Sequence, residues 1–117
     1  MSASQASALT AIVLQLTATL AKYEADLARL VPSRFDPDLY QQVSRHVDDM
    51  RMYSAALPQV SVAWVELLIR HFELTHAIWR LGQGKSTAEE IDGLRAAQCE
   101  SIGELRRKCE QVLETNS

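Results

Sequence analysis

The residues best suited to chemistry are a carboxylate and an imidazole one helical turn apart in the second half of the chain. Glu73 and His76 have the Glu-x-x-His spacing by which helical bundles direct two side chains toward one metal ion. His46 is a candidate third ligand, because antiparallel pairing of two helices around a turn near 58–60 sets it level with Glu73. His46, Glu73 and His76 therefore form a candidate site for a divalent transition metal.

The same residues also fit a bundle that holds no metal. Bundles with a di-iron centre use two Glu-x-x-His motifs and two further glutamates, whereas this sequence has one motif. His46 and His76 then flank the apolar faces as neutral, hydrogen-bonded side chains, and Glu73 pairs in solvent with Arg70 or Arg80. We favour this interpretation and predict no cofactor, with the metal site kept as the alternative.

No other residue pattern predicts catalysis. Cys99 and Cys109 are ten residues apart, which on a helix is about 15 Å and too far for a disulfide between them. The segment 82–87 resembles the end of a phosphate-binding loop, but Trp79 occupies the position where that motif needs its first glycine. We therefore predict no catalytic residue, and the chain is more consistent with a binding protein than with an enzyme.

Composition excludes two further classes of partner. The chain has 117 residues with 12 basic and 15 acidic side chains, a net charge of -3, whereas a nucleic-acid-binding domain normally carries a basic excess. No window approaches the roughly 18 uninterrupted apolar residues of a membrane span. Two thiols without a disulfide pattern indicate a reducing compartment, and we expect a cytoplasmic protein that binds neither nucleic acid nor membrane.

Proline and glycine divide the chain into four segments of helical periodicity. The divisions fall near residues 32–37, at residue 58 and at residues 82–84. The predicted helices are 4–31, 37–57, 61–82 and 87–115. Short connections make sequential helices antiparallel, so we predict an all-α fold, an antiparallel up-down-up-down four-helix bundle, as a single domain over 1–117.

The first, second and fourth segments show one apolar face each. The ends of the predicted helices carry recognisable signals. Asp36 before Pro37 predicts an N-cap, Gly82 a left-handed C-terminal stop, and Ser86 with Glu89 a capping box. The apolar seam of the first helix is Leu9, Val13, Leu16, Leu20, Tyr23, Leu27 and Leu30, that of the second is Tyr40, Val43, Val47, Met50, Ser54 and Leu57, and that of the fourth is Ile91, Leu94, Gln98, Ile102, Leu105, Cys109 and Val112.

The third helix has two apolar stripes, which is more than one buried face requires. The broader stripe, predicted to face the core, is Trp64, Val65, Leu68, Ile69, Phe72 and Trp79. The second stripe, predicted to be an interface with another chain, is Leu67, His71, Leu74, Ile78 and Leu81.

These patterns predict a non-enzymatic helical protein-interaction module of the adaptor, regulator or chaperone type. A self-complementary apolar stripe most simply produces a homodimer, and another protein partner is the second possibility. The alternative function is a metal- or ligand-binding bundle that uses His46, Glu73 and His76. The remaining interpretation is that the third helix lies deeper than its neighbours, and that the longer first and fourth helices cover part of the second stripe.

Overall fold

A computed structural model describes residues 3–33 and 35–116, and it forms four long helices. They are α1 (Ala3–Leu30), α2 (Pro37–Ala55), α3 (Ser61–Gly82) and α4 (Ala88–Asn116), with a short 3-10 turn at Pro58–Val60 before α3. The all-α four-helix fold is therefore confirmed. The predicted helix bounds agree to within two residues at every end.

The helix ends follow local hydrogen-bonding chemistry, although two predicted signals were misplaced. The carboxylate of Asp36 accepts from the backbone N–H groups of Asp38 and Leu39, as predicted for an N-cap before Pro37. At α4 the cap is Thr87, whose hydroxyl accepts from the Glu90 N–H at 3.1 Å, so the predicted Ser86 capping box is wrong by one residue.

The α3–α4 turn shows the second misplacement. The left-handed residue is Gly84, with φ +71°, and not Gly82. The backbone N–H groups of Gly84 and Lys85 return to the carbonyls of Leu81 and Arg80 and close the end of α3. These amides cap a helix, so they do not form a free phosphate cradle. Ser86 instead donates its hydroxyl proton to the Ala77 carbonyl at 2.7 Å.

One apolar core runs through the bundle, and it confirms the predicted seams of α1, α2 and α4. The fully buried large side chains include Leu16, Leu20, Tyr23, Met50, Ile102 and Leu105. Leu9, Tyr40 and Leu94 lie at the edge of this core and are only partly buried. Cys109 is buried and Cys99 is exposed, as the register of α4 predicts.

The helices do not pack equally against one another. The closest packing is between α1 and α2 and between α3 and α4, followed by α1 with α4, whereas α2 and α3 touch over a short stretch. α1 and α3 lie diagonally opposite each other in the bundle, and among the described residues their backbones do not come into contact. The direction of successive helices stays a prediction, favoured by connections of five or six residues.

The bundle is long and thin, at 55 × 24 × 17 Å. Within 3–33 and 35–116, none of the helices combines the length and the apolar character that a bilayer crossing requires. Because α2 and α3 pack over only a short stretch, one side of α3 is left uncovered.

Candidate functional site

The structure reverses the two stripes predicted for α3. Leu67, His71, Leu74 and Ile78 were predicted to form an interface, but each is at most 1% exposed and lies in the core of its own chain. Leu81 is partly buried against that core. The predicted interface is therefore wrong, and the alternative of burial within one chain is correct for this stripe.

The inner seam of α3 is the heptad-spaced row Val60, Trp64, Leu67, His71, Leu74 and Ile78. Ala63, Thr75 and Ala77 flank it and are also buried. Because these flanking side chains are small and uncharged, neighbouring helices can approach this side of α3 closely.

The outer seam of α3 is the row Val62, Val65, Ile69, Phe72, His76 and Trp79, at gaps of 3, 4, 3, 4 and 3 residues. The five apolar side chains of this row expose between 47% and 74% of their surface. At 100° per residue this row lies about 150° from the inner seam. Four residues assigned to the core by sequence, Val65, Ile69, Phe72 and Trp79, therefore face outward. Of the rest of that stripe, Trp64 is buried and Leu68 is partly buried.

Charged residues border the outer seam on the side of α4. Glu66 and Glu73 are exposed along this edge. Arg70 is turned toward α4, where it donates to the Ala97 carbonyl at 2.7 Å and lies 3.8 Å from the Glu100 carboxylate. Arg80 lies on the same side of the helix and donates to the Lys85 carbonyl at 2.8 Å, so this edge carries two acidic and two basic side chains.

An aromatic groove of about 350 Å³ lies beside the C-terminal half of the outer seam. It is lined by Phe35, Tyr40, Phe72, Thr75, His76 and Trp79. Phe35 has a φ of 68°, which is strained for a residue with a side chain, and its ring stacks on Tyr40 with centroids 4.5 Å apart. His76 and Trp79 form a second ring pair at 6.0 Å. The groove thus lies between aromatic residues of the α1–α2 connection and α2 on one side and of α3 on the other.

A second groove, of about 890 Å³, lies between the N-terminal half of α3 and α4, and its lining is polar. Four of its charged side chains form pairs, Arg70 with Glu100 and Arg107 with Glu104. Glu66 and Lys108 add one charge of each sign. The groove therefore lacks the unbalanced charge that would select an ionic ligand.

The three predicted metal ligands are not brought together. His46 faces α1, where its Nε2 lies 2.7 Å from the Asp26 carboxylate, while Glu73 and His76 lie on α3. Gln42 also donates to Asp26, at 3.0 Å. Among residues 3–33 and 35–116 no three His, Cys, Asp or Glu side chains are grouped as metal ligands would be. The histidine was correctly placed at a boundary, but its partner Asp26 was missed.

A buried hydrogen-bond network crosses the middle of the bundle. Gln98 of α4 donates through Nε2 to the Tyr23 hydroxyl at 2.6 Å and to the Leu67 carbonyl at 3.0 Å. Because that amide group can only donate, the Tyr23 proton is directed to Nδ1 of His71, 2.9 Å away. His71 is then neutral with its proton on Nε2, while the Gln98 carbonyl oxygen is left without a hydrogen-bond partner.

Burial shifts the acidity of this network away from the range that catalysis uses. It lowers the pKa of His71 to about 4 and raises the pKa of Tyr23 above its usual value, with the bond from Gln98 offsetting part of the latter shift. Tyr23 is 0% and His71 1% exposed, so neither side chain has access to a substrate. The network holds α1, α3 and α4 in one register.

Most of the outer seam was assigned to the core by the sequence, and the aromatic groove was not predicted at all. The sequence signal was present, since α3 has two apolar rows, but the periodicity alone did not show which one is covered. Comparison of the chain with protein-family models, with curated proteins and with solved structures finds no match.

Proposed function

We propose that this chain is a non-enzymatic helical interaction module that binds a partner helix along the outer seam of α3. The observation that supports the proposal is the heptad spacing of six outward-facing residues, Val62, Val65, Ile69, Phe72, His76 and Trp79. A row at these gaps keeps one face toward a second helix over its whole length.

The size of the exposed apolar surface supports the same function. Half-exposed large side chains present about 100 Å² each, so the five apolar residues of the seam expose about 500 Å². The largest apolar patch on a typical soluble monomer is about 300–600 Å² and is often a binding site. Binding a helix in a groove requires such a row with larger anchors near one end, and Phe72 and Trp79 supply them.

The compartment that we propose is the reducing cytosol. Cys99 is exposed and Cys109 is buried, and both are free thiols. An exposed free thiol is compatible with a reducing environment, in which it is not oxidised to a disulfide with another protein.

Site-specific photo-crosslinking tests the binding face directly. A benzophenone amino acid replaces Phe72 in one protein and Leu14 in another, since the two positions are 50% and 54% exposed but lie on different helices. We expect efficient crosslinking to one protein partner from position 72 only. Equal yields from the two positions would contradict the proposal.

Binding measurements with the crosslinked partner then give a quantitative test. Ile69→Glu places a charge in the middle of the seam, and Leu14→Glu places the same charge at a site of equal exposure, 55% against 54%. We expect the first substitution to weaken binding at least tenfold and the second to leave it unchanged, with normal helical content in both variants. Unchanged binding by Ile69→Glu would rule out the outer seam.

A further inference from the structure

We infer that the occupant of the outer seam is a second copy of this chain, docked antiparallel about a two-fold axis at the level between Arg70 and His71 of α3. This inference rests on the proposed function and names its partner. Two observations carry it, the pairing of residues along the seam and the apolar area of that seam, and the charges along its edge provide a test.

In the antiparallel register each residue of the outer seam lies opposite a residue of the partner's outer seam. Val62 meets the partner's Trp79, Val65 meets the partner's His76, and Ile69 meets the partner's Phe72. Each layer then combines a β-branched aliphatic side chain with a ring, which keeps the spacing of the two helices even. Parallel docking would instead stack Trp79 on Trp79 at one end and Val62 on Val62 at the other.

The two ends of the seam differ in composition in a way that suits this register. Val62, at the N-terminal end, is 74% exposed and borders the polar groove between α3 and α4, whereas the C-terminal half borders the aromatic groove. Antiparallel docking places the partner's Val62 and the partner's Val65 over Trp79 and His76, next to that groove. The aliphatic end of each seam thus meets the aromatic end of the other, twice in the dimer.

The apolar area of the seam reaches the lower limit for a specific interface between two chains. About 500 Å² of apolar surface on each chain gives about 1,000 Å² in total from the seam alone, and a specific interface needs about that area. The edges formed by α2 and α4 add to this value when two bundles meet. A partner that offered a single short peptide would leave part of the seam uncovered.

The charges on the α4 edge make a distinctive prediction. In this register Glu66 and the partner's Glu73 differ in level by two residues, which is about 3 Å along the helix axis. Like charges then face each other twice across the two-fold axis and weaken the dimer. Glu73→Lys converts both repulsions into ion pairs and should tighten the dimer about threefold to tenfold.

Sedimentation velocity over a range of protein concentration is the first test. We expect a dimer for the parent and for Leu14→Glu, and a folded monomer for Ile69→Glu, with helical content checked by circular dichroism. A parent that is monomeric at its highest soluble concentration overturns the inference. In that case efficient crosslinking of a different protein at position 72 still supports the proposed function, so the two failures are distinguishable.

Cysteine crosslinking under mild oxidation is the second test and reports the register. Val65→Cys and His76→Cys are made separately in a Cys99→Ser background, which removes the exposed native thiol. In the antiparallel dimer two copies of position 65 are about 16 Å apart along the axis, so Val65→Cys alone should not crosslink. An equal mixture of the two variants should form the mixed disulfide, identified by its mass.

The opposite pattern overturns the antiparallel register. Self-crosslinking of Val65→Cys, without the mixed product, shows parallel docking. A Glu73→Lys variant that dimerises no more tightly than the parent overturns the placement of Glu66 beside the partner's Glu73. The placement is supported if Glu73→Lys tightens the dimer and if the double variant, which carries Glu66→Lys as well, loses that gain in affinity.

Discussion

The inner and outer seams of α3 have the same heptad spacing and opposite environments. Each seam has five apolar residues and one histidine, His71 in the inner seam and His76 in the outer seam, but the inner seam is buried along its length and the outer seam is exposed. Hydrophobic content therefore did not decide which row forms the core. The residues that flank a row on the helix surface therefore matter as much as the residues of the row itself.

The flanking residues explain the outcome in physical terms. Ala63 and Ala77 beside the inner seam are buried, and they let helices approach without displacing charge. Glu66 and Glu73 beside the outer seam would lose hydration if a helix of the same bundle covered that side closely. His71 is tolerated inside because Tyr23 supplies a hydrogen bond at 2.9 Å.

The same charge placed in each seam should give the largest contrast. We expect Leu74→Glu to lower the free energy of unfolding by about 5 kcal/mol or more, because it removes a buried side chain and buries an unpaired carboxylate. Ile69→Glu should change the stability of the isolated chain by less than about 1 kcal/mol. Urea denaturation at low protein concentration measures both, and similar losses would show that the seams are not different.

Acid should act on the inner seam and not on the outer one. The pKa of His71 is about 4 in the folded chain against 6.5 in the unfolded chain, so the unfolded state binds the proton first as the pH falls. The contribution of neutral His71 to the free energy of unfolding is fully present above pH 6.5. As the pH falls from 6.5 to 4, this contribution is lost, and the free energy of unfolding decreases by about 3 kcal/mol.

Two histidine variants separate this effect from the titration of carboxylates in the same range. Denaturation midpoints at pH 7, about 5.5 and about 4.5 should show a reduced acid loss for His71→Gln relative to the parent. His76→Gln, on the outer seam, should retain the full loss. An unchanged acid loss in His71→Gln would show that this imidazole is not the group responsible.

Removing one hydroxyl group should have an intermediate effect. Tyr23→Phe leaves His71 without its donor and Gln98 without one acceptor, and we expect a loss of about 1–3 kcal/mol. Tyr53→Phe, at a half-buried position of α2, should cost less than about 0.5 kcal/mol. Equal effects of the two substitutions would mean that the network contributes no more than a hydroxyl group at the edge of the core does.

Truncation of an outer-seam ring should have the smallest effect on folding. Phe72→Ala should lower the stability of the isolated chain by less than about 1 kcal/mol, because half of the ring is already in water. Ile78→Ala, six residues further on and 1% exposed, should cost about 2–5 kcal/mol. Thermal melts at low concentration compare them, and a larger loss for Phe72→Ala would reverse the assignment of the seams.

Much of the fold was predictable because its signals are local. The heptad gaps from Leu9 to Leu30 and the Asp36 cap depend on neighbours within one or two turns, and the structure confirms both. α4 was assigned correctly for the same reason, since it has one apolar row ending at Val112 and charges elsewhere. A helix with a single apolar row has only one face that it can bury.

The sites were less predictable because they depend on distances between helices. Asp26 pairs with His46 twenty residues away, and no spacing in the sequence marks the two as neighbours. The predicted helix pairing places His46 at the same height as Glu73 along the helix axes. It does not specify the direction in which each side chain points. Rotation of a helix about its own axis by the angle of one residue, about 100°, is enough to separate two such side chains.

Four amphipathic helices, their ends to within about two residues, and the two apolar rows of α3 follow from the sequence. Which of the two rows is buried depends instead on the packing of α4 and α2 around α3 and on the Tyr23 bond to His71. Periodicity sets the angular position of a row on its own helix. The rotation of that helix within the bundle is set by the combined free energy of all its contacts, which no single segment contains.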